Sequence, residues 1–146
     1  MNMNVQGVTI IKSETHSIMT LMRLQTRWAQ AKVRLGLGRE ALLQQEEGPL
    51  VQSFRRLNEY LEGLYDLRGV DCVAYMAPFH QVITSDQASG PLTSAALSSL
   101  SKFVLYGFLR PEYPRAREGV QIVADCIARC IFEETDCESD EVGSEP

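Results

Sequence analysis

Apolar residues recur along most of this chain at spacings of three and four, the period of an α-helix with a buried face. Between Val5 and Lys32 there is no proline; Val8, Ile11, Ile18 and Met22 form one stripe, and Leu21, Leu24 and Trp28 a second. Such a helix exceeds the average globular length, and two stripes predict contact on more than one side. Arg23, Arg27 and Arg34 share another face. From Gly36 to Gly48 the repeat lapses into glycines and a Gln-Gln-Glu-Glu run, which predicts a flexible loop.

Pro49 suits the first position of a second helix, where its missing N–H costs nothing. Leu50, Phe54, Leu57, Leu61 and Leu64 then follow at alternating fours and threes, the clearest amphipathic pattern in the chain, with Gly69 expected to close it. Asp71 suits the N-cap of a third helix carrying Val73, Met76, Phe79, Val82 and Ile83, which Pro78 is expected to break near Ala77. Ser89-Gly90-Pro91 repeats the cap-then-proline entry for a fourth, with Leu92, Ala96, Leu100, Phe103 and Val104 inward. The small residues Ala95, Ser98, Ser99 and Ser101 suggest that this helix is central. Arg110-Pro111 should end it and Pro114 should begin the fifth, with Ala116, Val120, Val123, Ala124, Ile127 and Ile131 inward. No strand pattern competes. The expected fold is all-α: an antiparallel array of about five helices, armadillo- or HEAT-like, with short connections packing neighbours in sequence order.

A length of 146 residues with 45% hydrophobic and 23% charged residues fits one ordinary globular domain. We place it over 1–133, followed by an acidic flexible tail over 134–146. Residues 1–56 hold eight Lys and Arg against four Glu, whereas 134–146 hold six acids and no base. The basic excess is too sparse, and too poor in interleaved aromatics, to read as a nucleic-acid surface. No apolar run reaches the length of a membrane span and no secretory signal opens the chain, so the cytosol is the default compartment. Its four cysteines, Cys72, Cys126, Cys130 and Cys137, should then be reduced and unbridged.

Candidate chemistry is thin. Cys126 and Cys130 lie one helical turn apart, but with Cys137 and the distant His16 and His80 they make no zinc spacing, so no metal is expected. Neither histidine belongs to a recognisable nucleophile constellation, and Gly36-Leu37-Gly38 lacks the rest of a phosphate loop. No catalytic residue and no cofactor are assigned. The arginines at 23, 27 and 34 could meet an anionic surface or acidic partner, although such faces are more often simply solvated. Tyr60, Tyr65 and Tyr106 are interface candidates, with core packing as their default.

The run Tyr75-Met-Ala-Pro-Phe-His-Gln-Val-Ile-Thr-Ser-Asp86, followed by Ser89-Gly-Pro-Leu-Thr-Ser-Ala-Ala-Leu-Ser-Ser-Leu-Ser-Lys-Phe103, resembles the N-terminal region of the large Arf exchange factors of the brefeldin-A-resistance type. The likeness extends outward through Gly48-Pro-Leu-Val-Gln-Ser-Phe54 and Thr135-Asp-Cys-Glu-Ser-Asp-Glu-Val142. In that family the region is the dimerisation and cyclophilin-binding domain, an armadillo-like array. The resemblance implies self-association as a homodimer, contact with downstream domains of the parent, and help in placing it peripherally on Golgi membranes. A small GTPase or a cyclophilin is a further implied partner. Exchange catalysis belongs to another domain of such proteins, so no catalytic residue carries over. Because the family pattern runs on beyond Val142 into further helices, the natural protein is expected to be longer. A truncated array should leave apolar surface on the fifth helix around Val123, Ile127 and Ile131, or have it captured by a second copy. The runner-up readings are an unrelated HEAT-like scaffold adaptor and a small helical metalloprotein or enzyme using the cysteines.

Overall fold

The computed structural model describes residues 3–35, 48–86 and 88–142, with side chains left out for 3–5, 29, 30, 32–34 and 131–142. Five helices, and no strand, occupy the described residues: α1 Met3–Arg34, α2 Pro49–Glu62, α3 Cys72–Thr84, α4 Gly90–Leu105 and α5 Ala116–Val142. The all-α helical array is therefore present. The loop expected over 36–48 lies, apart from Gly48, outside the described residues. The backbone of α5 continues as helix through Val142, into the stretch expected as a tail.

Packing does not simply follow sequence order. Helix α1 packs on α2 and α4, α3 packs on α2, α4 and α5, and so the first four helices close a ring with α5 attached to α3. The centre is α3 rather than α4, because α3 has neighbours on three sides. Its buried residues, Cys72, Tyr75, Met76, Pro78, Phe79, Val82 and Ile83, are spread around the helix, as a helix covered on several faces requires.

That surrounding explains why Pro78 does not break α3, which is continuous from Cys72 to Thr84. Proline in a helix interior sacrifices one hydrogen bond and costs about 3 kcal/mol. Here the ring of Pro78 is itself buried, and the apolar residues on both sides of it pack together only if the helix continues. Tertiary burial overrides the local preference.

Other ends shift for identifiable reasons. Helix α2 stops at Glu62 with Gly63 as its C-cap, while Gly69, at φ 76°, serves the turn beyond. Helix α4 stops at Leu105, well before Pro111. The Phe108 N–H donates to the Phe103 carbonyl at 3.0 Å and Gly107 N–H to Val104 at 3.1 Å, with Gly107 at φ 71°. This is the Schellman arrangement, and the Phe103 and Phe108 rings make its accompanying apolar contact with centroids 6.1 Å apart. Helix α5 begins at Ala116, two residues after Pro114, with Gly119 N–H donating to the Arg115 carbonyl at 3.0 Å.

Two caps appear as the sequence predicts. Ser89 Oγ accepts from the Leu92 N–H, and Asp71 Oδ1 accepts from Val73 N–H at 2.9 Å. Asp71 also receives Arg115 Nε at 2.7 Å on its other oxygen, and the neighbouring Cys72 N–H donates to the Pro114 carbonyl at 3.0 Å, so the starts of α3 and α5 are tied together. Burial pulls the Asp71 carboxyl upward, but the Arg115 guanidinium and the N–H groups of Val73 and Ala74 outweigh it and hold it below its ordinary value. A depressed folded value means the stabilisation is full above about pH 4, the unfolded carboxylate range, and is lost as pH falls through the folded value. Asp71→Ala is expected to lose about 0.5–2 kcal/mol in denaturant unfolding at pH 7. Asp71→Asn, which keeps a cap acceptor, should lose less.

Candidate functional site

The core leaves three surfaces that apolar residues do not share with a neighbour. On α1, Val8, Ile11, Ile18, Met19 and Met22 are buried, and no described residue after Met22 in this helix is. At 1.5 Å per residue α1 is about 48 Å long, against 14 and 16 residues in the helices it packs on. Of its second stripe only Leu21 is half-buried against the core, whereas Leu24 is 44% and Trp28 70% exposed, as is the following Leu35 at 77%. The contact expected on more than one side of α1 is present, through α2 and α4, but among the described residues it buries nothing beyond Met22. Arg23 and Arg27 are exposed on the same half of the helix. Arg34 lies on its helical backbone, with its side chain outside the described residues.

The second surface is α5, whose apolar positions form a band wider than α3 can cover. Ala116 and Cys126 are buried and Val123 is half-buried, whereas Val120 (54%), Ala124 and Ile127 (55%) are exposed. The inward placement of Val120, Ala124 and Ile127 is thus corrected, whereas the uncovered apolar surface expected on the fifth helix is present at Ile127. They form a shoulder to one side of the buried line, and Ile131, in register with them, has its side chain outside the described residues. On the opposite flank His80 Nε2 lies 2.7 Å from Asp125 Oδ2, which also accepts from Arg129 Nε at 2.9 Å. An ionised carboxylate can only accept, so Nε2 carries the proton. His80, followed by Arg129, holds the Asp125 carboxyl below its ordinary value. The His80–Asp125 contact joins α3 to α5 on the flank opposite the shoulder, while the buried Ala116, Gly119 and Cys126 hold the helix face against the core.

The third surface belongs to the tyrosines. Tyr60 is half-exposed on α2 and lines a groove of about 270 Å³ with Arg56, Leu57, Ala74 and Pro78. Tyr65 is almost wholly exposed in the α2–α3 turn, and Tyr106 is exposed at the end of α4. None of the three packs in the core. Tyr75 does: its hydroxyl donates to the Phe108 carbonyl at 2.9 Å, across 33 residues of sequence. A polar cleft of about 500 Å³ lies between the end of α3 and the start of α4, with Arg129 at its edge. The candidate residues thus occupy separate surfaces on α1, α2 and α5 rather than one site.

The remaining polar chemistry is structural in character. Glu14 on α1 accepts from Ser99 Oγ at 2.8 Å and Lys102 Nζ at 2.6 Å on α4, joining the two ends of the ring. Burial raises the thiols of Cys72 and Cys126, the latter to about 11, which keeps them protonated and unreactive. Among the described residues no three His, Cys, Asp or Glu side chains are grouped so as to hold a metal ion. No described helix is long and apolar enough to cross a membrane.

Comparison with known proteins gives this arrangement a context. No protein-family model matches the chain. It is 28% identical over 130 residues to the Golgi-specific brefeldin A-resistance guanine nucleotide exchange factor 1 homolog of Caenorhabditis elegans, a match covering 89% of this chain and 6% of that protein. Against the ARF guanine-nucleotide exchange factor GNL1 of Arabidopsis thaliana the identity is 31% over 135 residues, 92% of this chain and 9% of the relative. The ARF guanine-nucleotide exchange factor GNOM of Arabidopsis thaliana matches at 29% over 134 residues, again 91% against 9%. The chain spans less than a tenth of the length of these curated relatives. Over about nine-tenths of its own length, this chain is similar to a segment of Arf guanine-nucleotide exchange factors, of which the Caenorhabditis elegans relative is named as Golgi-specific.

Proposed function

We propose that the chain is a non-catalytic association and regulatory module of an Arf-family guanine-nucleotide exchange factor acting in Golgi vesicle transport. Its tasks are self-association, contact with downstream domains of its parent, and help in bringing the parent to its GTPase and to the Golgi membrane. The observation that carries this reading is the apolar shoulder of α5, exposed at Val120 and Ile127 beside the buried Ala116 and Cys126, on a chain whose relatives are exchange factors. An apolar strip rigidly displayed beside a packed core suits association with another folded surface. Kinship along the chain favours this over an unrelated scaffold adaptor.

Val120, Val123 and Ile127 serve self-association, and the half-exposed Tyr60 and exposed Tyr65 offer a separate face to the rest of the parent. The experiment is nucleotide release from an Arf protein loaded with a fluorescent GDP analogue. Adding the purified chain is expected to leave the release rate unchanged, and a concentration-dependent acceleration would refute the non-catalytic assignment.

A further inference from the structure

The exposed stripe of α1 has a finer pattern than exposure alone conveys. Leu24, Trp28, Ala31 and Leu35 fall at spacings of four, three and four, the a and d positions of consecutive heptads, continuing a register that begins at the half-buried Leu21. The Leu35 N–H donates to the Ala31 carbonyl at 3.2 Å, so the helical hydrogen bonding extends to the last of them. In that register Arg27 occupies a g position, and the sequence puts Arg34 at the next g and Lys32 at an e. No acidic residue occurs between Glu14 and Glu40. From Leu24 to Leu35 the flanking e and g positions hold Arg27, Lys32 and Arg34 beside the neutral Gln25, which hydrogen-bonds Ser89, and no acid, so the seam is the half of a coiled coil that awaits an acidic partner.

We infer that the outer face of α1 from Leu24 to Leu35 docks an amphipathic helix of another protein, one with aliphatic residues at a and d and Glu or Asp at e and g. Charge decides among the occupants. A second copy using the same seam would set Arg27, Lys32 and Arg34 against one another, an arrangement that disfavours pairing. The chain's own acidic run supplies charge without a seam, since Cys137 is the one apolar residue between Phe132 and Val142. An anionic membrane favours a broad apolar face, whereas this stripe is narrow and the buried side of α1 begins immediately beside it at Met22. The seam depends on α1 alone and holds whether or not the chain serves an exchange factor.

Trp28 is the single tryptophan of the chain and sits in the middle of the seam, so its emission reports occupancy directly. The probe is a synthetic peptide of about four heptads with Leu at a and d and Glu at e and g, added to the full chain. A saturable blue shift of Trp28 emission is expected. Leu24→Ser combined with Leu35→Ser should weaken binding by about tenfold or more, through lost apolar burial at exposed positions that leave the fold intact. Arg27→Glu should weaken it by about fivefold and reverse the preference toward a peptide with Lys at e and g. No shift with the acidic peptide, or an equal shift with the Lys peptide, overturns the proposal. So does a Trp28 shift produced instead by phosphatidylserine vesicles, or by raising the concentration of the chain alone.

Discussion

Replacing Phe79 with alanine is expected to lower the unfolding free energy by about 3–5 kcal/mol, the range for truncating a fully buried phenylalanine. The ring is completely inaccessible. It stands edge-on to Phe54 of α2, with centroids 5.0 Å apart at 87°, and edge-on to Phe103 of α4 at 5.2 Å and 82°. One side chain of α3 therefore joins three of the four helices in the ring, and Phe103 passes the contact on to Tyr75 at 5.7 Å. An alanine removes both edge-to-face pairs and leaves a cavity that neighbours on three helices cannot collapse into together. A loss of this size is comparable with the whole stability of many small domains. Urea unfolding followed by far-ultraviolet circular dichroism measures it. A loss below about 1 kcal/mol would place Phe79 outside a packed core.

The second large effect is expected at Gly119, where α5 crosses α3. A Cβ there would stand 2.6 Å from the Leu109 Cδ1 methyl, 3.2 Å from Met76 Sδ and 3.3 Å from Cys72 Cβ. The Leu109 methyl ends a flexible side chain and can swing away, while Cys72 Cβ is fixed to the backbone of α3. Alanine should therefore change little, since replacing a helical glycine is worth about 1 kcal/mol in the favourable direction. Leucine cannot be accommodated without lifting α5. Overpacking of about 1–3 kcal/mol offsets or outweighs that gain, so Gly119→Leu is expected to destabilise by up to about 2 kcal/mol net. It should also loosen the α3–α5 contact. Protease sensitivity of α5 relative to the rest of the chain checks this, with Gly119→Ala as the control.

Much of this fold could be read from the sequence, and the exceptions have physical reasons. The helical periods, the Asp71 and Ser89 caps and the Pro49 entry are local features, written within a few consecutive residues. The Schellman close of α4 is also local, in Tyr106-Gly107-Phe108, and it ends the helix before either Pro111 or Pro114 is reached. The tolerance of Pro78 inside α3 comes from three surrounding helices, which no local window contains. Which apolar positions stay uncovered is likewise a tertiary property. Helix periodicity orients Trp28 and Ile127 only with respect to their own helices, and whether a neighbour covers them depends on the lengths of α2, α4 and α3. The His80–Asp125 contact joins residues 45 apart, and neither belongs to any motif that would have paired them.

The candidate surface residues divide along the same line. Arg23 and Arg27 could be grouped from their spacing, and the structure places them on the free half of α1. Val123 and Ile127 share a helix and a stripe, yet one is half-covered and the other open, because α3 reaches only part of the way around α5.

Self-association through the α5 shoulder is most directly tested by light scattering on the size-exclusion peak as the chain's concentration is raised. The mass is expected to climb from 16.4 kDa toward a dimer, while a chain carrying Val120→Glu and Ile127→Glu stays at the monomer mass with unchanged circular dichroism. A wild-type chain that remains monomeric throughout, or a dimer that survives both substitutions, would contradict it.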